Sequence, residues 1–270
     1  MPISESISFI YDNELSSDYG VINCHVDTNG LYQEDFLSSI ELKEITTRMS
    51  DKPYFIQKKH LPRTLNLTIA FTDSFDEDKL RSVRRWLSQE GHKPMSFESI
   101  PDTIFYCTMI DSTPLLHTGN MGYINCIFRC SDPYKYSPSY LSDLYNLSSN
   151  PSSGTTIQFS NLGDTPCQPQ ISLLKVNDGD ISIINNSDSG KEFKLSSLLD
   201  AAGAPIALSS LKNNEDLFID NENEEITSSI PLTYRLNNLT GDFISFNRGV
   251  NNILVKGTCK IQFRYQFKML

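Results

Sequence analysis

The residues of this chain that could do chemistry are four histidines, six cysteines and 33 carboxylates, and their spacing argues against a catalytic centre. The histidines are His25, His60, His92 and His117, all in the first half and far apart in sequence. The second half holds none, so it can build neither a Ser-His-Asp triad nor a Cys-His pair of its own. No P-loop, G-x-G-x-x-G, G-x-S-x-G or H-E-x-x-H pattern occurs. The cysteines are Cys24, Cys107, Cys126, Cys130, Cys167 and Cys259, with no C-x-x-C among them. Their even number permits disulfides. However, the first residues lack the basic and apolar regions of a secretory leader, so free thiols in a reducing compartment are expected. Cys126 and Cys130 are four apart; on a strand both would point to one face, as small buried side chains rather than metal ligands. The densest acidic run, Asp220-Asn-Glu-Asn-Glu-Glu225, lacks the glycine of an EF-hand loop and reads as a solvated hairpin turn. Asp178-Gly-Asp180 reads as a second turn. We therefore expect no enzyme activity, no cofactor and no metal.

One cationic group stands out. Lys79, Arg81, Arg84 and Arg85 follow an acidic stretch, Asp76-Glu-Asp78, in a segment with helical spacing. The plain reading is favourable charge on a solvated helix. The sharper one makes Arg81, Arg84 and Arg85 a subunit interface, meeting an acidic surface on a neighbouring copy. The chain as a whole is acidic, with net charge -10. Residues 1–140 carry 13 Lys+Arg against 19 Asp+Glu, and residues 141–270 carry 10 against 14. Neither half offers the broad basic face that neutralising phosphates requires, so stable nucleic-acid binding is not expected; DNA could still pass along such a surface. No apolar run is long enough to span a membrane.

The elements that would carry these residues are mainly strands. Ile7, Phe9 and Tyr11 alternate before an Asp12-Asn13 turn, and a second strand is expected over Gly20–Val26. Residues 31–52 read as a long loop or an extended arm. Leu65, Leu67, Ile69 and Phe71 alternate with Asn66, Thr68, Ala70 and Thr72, the pattern of a half-buried strand. A single helix is expected over about 75–90, with Ser74 and Glu77 forming a capping box, Leu80, Val83 and Leu87 on the apolar stripe, and Gly91 at the end. Trp86 reads as core rather than as a sugar platform. Further strands are expected at 94–97, 104–110 and 122–130. Residues 141–154 form the best linker, rich in Ser, Asn and Pro. Nine short strands follow, near 155–160, 170–176, 180–185, 192–195, 216–220, 225–228, 243–246, 252–256 and 259–267, with one helical turn allowed at Ser196–Ala202. They suggest a β-sandwich. The last strand either closes that sandwich or returns to the first domain. The domains expected are 1–140, a β-sandwich or barrel-like domain with one helix, and 155–270, a second sandwich.

A family resemblance attaches to these segments. Phe9-Ile-Tyr-Asp-Asn-Glu-Leu-Ser-Ser-Asp-Tyr-Gly20, Pro62-Arg-Thr-Leu-Asn-Leu-Thr-Ile-Ala-Phe71, Val83-Arg-Arg-Trp-Leu87, Lys93-Pro-Met-Ser-Phe97, Pro101-Asp102, Phe105-Tyr106 and Cys130-Ser-Asp-Pro-Tyr134 resemble, in that order, the N-terminal domain of the distal tail proteins of long-tailed phages. Asn161-Leu-Gly-Asp-Thr-Pro166, Gln168-Pro-Gln-Ile171, Leu217-Phe-Ile-Asp220 and Asn247-Arg-Gly-Val-Asn-Asn-Ile253 resemble their galectin-like C-terminal domain. The resemblance covers nearly the whole chain. It implies a structural hub of a phage or phage-like tail tip, a virion component assembled in the bacterial host cytoplasm. Its N-terminal domains would form a homohexameric ring around a channel at the end of the tail tube. Its C-terminal domains would dock tail-tip or receptor-binding proteins. The alternative is a carbohydrate-binding adhesin for host-wall glycans. Against it, residues 141–270 contain neither the Trp nor the His of a galectin sugar site. Other aromatics, such as Tyr234, could still stack on a sugar.

Overall fold

The computed structural model describes residues 3–25, 37–48, 50–198 and 210–270. It divides into two compact units, one up to Ser137 and one from Pro138 to Met269. The segment read as a linker is therefore part of the second unit, where it carries two short strands.

The first unit is built from β1 (Phe9–Tyr11), β2 (Glu14–Leu15), β3 (Val21–Cys24), β4 (Ile40–Thr47), β5 (Ser50–His60), β6 (Thr64–Phe71), β7 (Lys93–Phe97), β8 (Ile100–Ser112), β9 (Leu116–Thr118), β10 (Met121–Cys130) and β11 (Lys135–Tyr136). A curled antiparallel sheet runs in the order β2-β1-β7-β8-β10-β6-β3. Its alternation is clearest in β6, where Leu65, Leu67, Ile69 and Phe71 are buried, as period two demands. Asp12 and Asn13 both have positive φ, the geometry that a two-residue hairpin turn requires, and they join β1 to β2. Ile7 does not share a buried face with Phe9 and Tyr11. It precedes β1 and is largely exposed.

The helix α1 spans Glu77–Leu87. Its cap differs from the capping box read at Ser74. Asp76 is the N-cap, and its carboxylate accepts from the Lys79 N–H at 2.8 Å. Phe75 is instead drawn into the core against Phe71, with its N–H on the Asn120 carbonyl. That contact leaves Asp76 as the first residue free to cap. The helix ends at Ser88, three residues short of Gly91. Val83, Trp86 and Leu87 are buried, and Leu80 packs on the same core. Trp86 lies in that core: it stacks on Tyr19 at 4.3 Å between ring centroids, and its indole N–H donates to the Tyr11 carbonyl at 3.0 Å. The helix is thereby tied to β1 by a satisfied buried donor and to the turn at Tyr19 by an aromatic stack.

The second unit is a two-sheet sandwich. It comprises β12 (Tyr140–Leu141), β13 (Tyr145–Leu147), β14 (Thr155–Asn161), β15 (Gln170–Lys175), β16 (Ile181–Asn185), β17 (Lys191–Leu195), β18 (Asp216–Asp220), β19 (Glu225–Ser228), β20 (Leu239–Gly241), β21 (Gly249–Lys256) and β22 (Cys259–Tyr265). One sheet runs β12-β22-β15-β18-β19, with β13 also on β22; the other runs β14-β21-β16-β17-β20. Ile171, Leu173, Leu217, Ile219, Ile261 and Phe263 from the first sheet meet Ile157, Phe159, Ile183, Phe193, Ile253 and Val255 from the second in one core. The amphipathic C-terminal strand β22 is central in its sheet, paired with β15.

Two readings of this half change. Residues 243–246 form no ladder strand. Ile244 donates its N–H to the Asn221 side chain and Phe246 pairs only with Cys167, so the segment plugs the core with two buried side chains instead. The helical turn allowed at 196–202 is not helical over Ser196–Leu198, and its remainder lies outside the described residues.

Candidate interaction surfaces

Among the described residues no three of His, Cys, Asp and Glu converge as metal ligands. All six cysteines are free thiols; five are buried and Cys24 is half-buried. Cys126 and Cys130 sit two pleats apart on the buried face of β10, and Cys107 faces Cys130 from β8. Burial pushes the Cys107, Cys126 and Cys130 thiols up, Cys126 to about 11 and Cys130 to about 12, so they are packing groups rather than thiolates. His60 contacts the Ser38 hydroxyl at the open end of the β4–β5 hairpin, and His117 contacts the Gly119 carbonyl in a local turn. The acidic run at Asp220 is a hairpin turn. One Asp220 oxygen accepts from the N–H groups of Glu222 and Asn223, which joins β18 to β19. Asp178 ties the other turn to a distant loop by accepting from the Asn213 N–H at 2.8 Å.

The structure brings the three arginines singled out in the sequence onto one helix surface. Arg81, Arg84 and Arg85 are all exposed and lie three and four residues apart, so their guanidinium groups crowd one side of α1. Arg84 reaches back to Glu77 at 2.8 Å, but both side chains are more than half exposed and the pair holds little energy. Arg85 lies close enough to Tyr19 to act on it electrostatically. The Tyr19 hydroxyl donates to the Glu14 carboxylate, and chiefly for that reason its pKa is pushed up to about 12. This helix surface is thus backed by the Trp86 core and carries three exposed arginines, one of them paired with Glu77.

A second surface escaped the sequence reading. Of the segment read as an arm, 31–52, residues 31–36 lie outside the described residues, and from Ile40 on it enters the hairpin β4–β5, in register from Ile40↔His60 to Thr47↔Ser50 with two bulges. Among the described residues the hairpin pairs with no other strand. Leu42, Ile45, Tyr54 and Phe55 are each more than half exposed. The register puts Leu42 and Phe55 on one face and Ile45 and Tyr54 on the other. Apolar and charged side chains therefore share both faces, and the period-two contrast that reveals a half-buried strand is absent.

The likenesses to known proteins agree with this geometry. Over 97% of this chain and 99% of its own, the crystal structure of phage SPP1 Dit, described as a paradigm of the hub adsorption apparatus in Gram-positive infecting phages, superposes with a TM-score of 0.67 at 16% identity. The phage P2 baseplate in its activated conformation contains a chain that matches with a TM-score of 0.51 at 9% identity, over 96% of this chain and 97% of that one. At such identities the likeness is one of fold alone. Residues 4–132 match the family of phage tail protein N-terminal domains. A relative from Bacillus subtilis (strain 168), the SPbeta prophage-derived uncharacterized protein YomH, is 28% identical over 99% of this chain and 100% of its own. By the family match the chain carries a phage tail protein N-terminal domain at residues 4–132.

Proposed function

We propose that the protein is a structural hub of a phage tail tip, whose copies close into a hexameric ring joining the end of the tail tube to tail-tip and receptor-binding proteins. The observation that carries this reading is the hairpin β4–β5. A lone two-stranded hairpin is marginal in water, and one that exposes Leu42, Ile45, Tyr54 and Phe55 on two faces needs a cover. Residues 40–60 carry five Lys+Arg against three Asp+Glu, or +2, in a chain of net charge -10, so a second copy of this acidic chain is a complementary cover. A hairpin on one side of a copy and its acceptor on another make a head-to-tail contact, which closes into a ring.

In this reading the first unit forms the ring and Arg81, Arg84 and Arg85 add a charged contact to the neighbouring copy. The second unit, a galectin-like sandwich, projects for docking. The protein acts by multivalent contact without chemistry of its own, its place is the virion, and DNA passes through the ring without being held. Negative-stain images and light scattering of the purified protein test it. Rings with a central hole, lost in a Tyr54→Ser/Phe55→Ser variant that stays folded, are expected. Monomers at every concentration would overturn it.

A further inference from the structure

The outer face of a sandwich sheet normally meets water with polar side chains, so an aromatic ring at its centre is informative. On the sheet β12-β22-β15-β18-β19, strand register lays Gln262, Ser172, Phe218 and Thr227 side by side in one row. Lys260, Leu174 and Asp216 form the next row. With Leu144 at one rim and Ser229 at the other, they line an open groove of about 530 Å³. Phe218 is 42% exposed in its floor. The neighbouring polar groups are held in place by the sheet and largely unspent. The Gln262 amide N–H is taken by the Ser142 carbonyl, which leaves its oxygen facing outward chemistry. The Ser172 and Thr227 hydroxyls, the Asp216 carboxylate and the Lys260 ammonium make no side-chain hydrogen bond or ion pair among the described residues.

We propose that this groove is a binding site for a neutral saccharide. A sugar presents an apolar C–H face, which a phenyl ring covers, and a rim of hydroxyls, which need donors and acceptors a few ångströms apart. The two rows supply both, at the spacing of neighbouring strands. Charge selects the class of ligand. Lys260 and Asp216 cancel within a chain of net charge -10, which suits an uncharged ligand and disfavours a polyanion. Size selects against a folded partner: 12 residues line the groove, about half of the roughly 20–30 a side that a standard protein interface uses. The site lies on the second unit and is independent of the ring contacts proposed for the first.

The full-length protein, titrated calorimetrically with triacetylchitotriose, maltotriose and the polyanion dextran sulfate, tests the inference. Binding of at least one neutral oligosaccharide is expected, at a dissociation constant on the order of 1 mM, weakened roughly tenfold or more by Phe218→Ser. Asp216→Ala and Lys260→Ala, which remove surface groups only, should weaken it without changing the circular dichroism spectrum. Neutral sugars that do not bind, binding that Phe218→Ser leaves unaltered, or capture of dextran sulfate alone would each overturn it. So would a protein ligand lost in Phe218→Ser while no sugar binds. Phe218→Ser should leave ring formation intact, so a protein that forms no rings speaks against the hub alone.

Discussion

Glu215 and Arg235 meet inside the second unit in a two-pronged ion pair. Arg235 Nε lies 2.7 Å from Glu215 Oε1 and Nη2 lies 2.8 Å from Oε2, with side-chain exposures of 4% and 0%. The Ser228 hydroxyl and the Lys212 N–H also donate to Glu215. The pair anchors the chain that leads from β19 to β20. Directly beside Arg235, Tyr234 is 81% exposed and Leu232, at φ 58, is fully exposed.

Removing one partner strands the other charge in the interior. Arg235→Met is expected to cost about 3–5 kcal/mol of second-unit stability, read by denaturant unfolding. The double variant Glu215→Leu/Arg235→Met should recover much of it, because no buried charge is then left unpaired.

The same pair sets an acid dependence. Burial pushes the Glu215 pKa up, but the bonds from Arg235, Lys212 and Ser228 outweigh it and hold the carboxyl below its ordinary value. A depressed carboxyl contributes stability that is complete above the unfolded value of about 4.3 and is lost as pH falls through the folded one. Wild type should therefore lose second-unit stability on acidification below about pH 4, and Glu215→Gln, already weaker at neutral pH, should lose less over that interval.

Trp86 is the single tryptophan and is 2% exposed in the core of the first unit, so its fluorescence reports that unit alone. Emission should be blue-shifted in the folded protein and move to the red only as the first unit unfolds. Trp86→Ala should cost about 3–5 kcal/mol there, while Trp86→Phe keeps the ring stack and loses the bond to the Tyr11 carbonyl, a smaller cost. Unfolding followed by far-ultraviolet dichroism checks both.

The thiols offer a third readout. Burial raises Cys126 and Cys259 to about 11 and Cys130 and Cys167 to about 12. A thiol reagent at neutral pH should label Cys24 first and the five buried thiols only on unfolding, as peptide mapping of the labelled protein would show. Because these pKa values are raised on folding, the thiols add stability below the unfolded value of about 8.5, and it declines as pH rises above that.

Ring assembly tests the arginine face. Arg84→Glu/Arg85→Glu reverses charge at two exposed positions and should leave the monomer's unfolding midpoint nearly unchanged. Light scattering should show the ring weakened, more so at low salt than at high salt. An unchanged ring would remove α1 from the interface.

Much of the fold was legible because local physics wrote it. The alternation of β6, the Asp12-Asn13 turn, the apolar stripe of α1 and the turn chemistry at Asp220 each act within a few residues. The paired cysteines of β10 followed from the same period. Where a distant contact outbid a local one, sequence reasoning missed. Phe75 entered the core against Phe71 and moved the helix cap from Ser74 to Asp76.

The amino-acid sequence by itself determined a mainly β chain with one helix, acidic in both halves, without a spaced catalytic or metal-ligand set, and with Arg81, Arg84 and Arg85 on one helix. Only the tertiary structure decided where the division between units falls and that 40–60 is a two-faced exposed hairpin. It alone paired Glu215 with Arg235 and set Phe218 in a row with Gln262, Ser172 and Thr227. The reason is physical: strand register, and the meeting of residues twenty or ninety positions apart, depend on which surfaces the rest of the chain buries, and no local pattern encodes that.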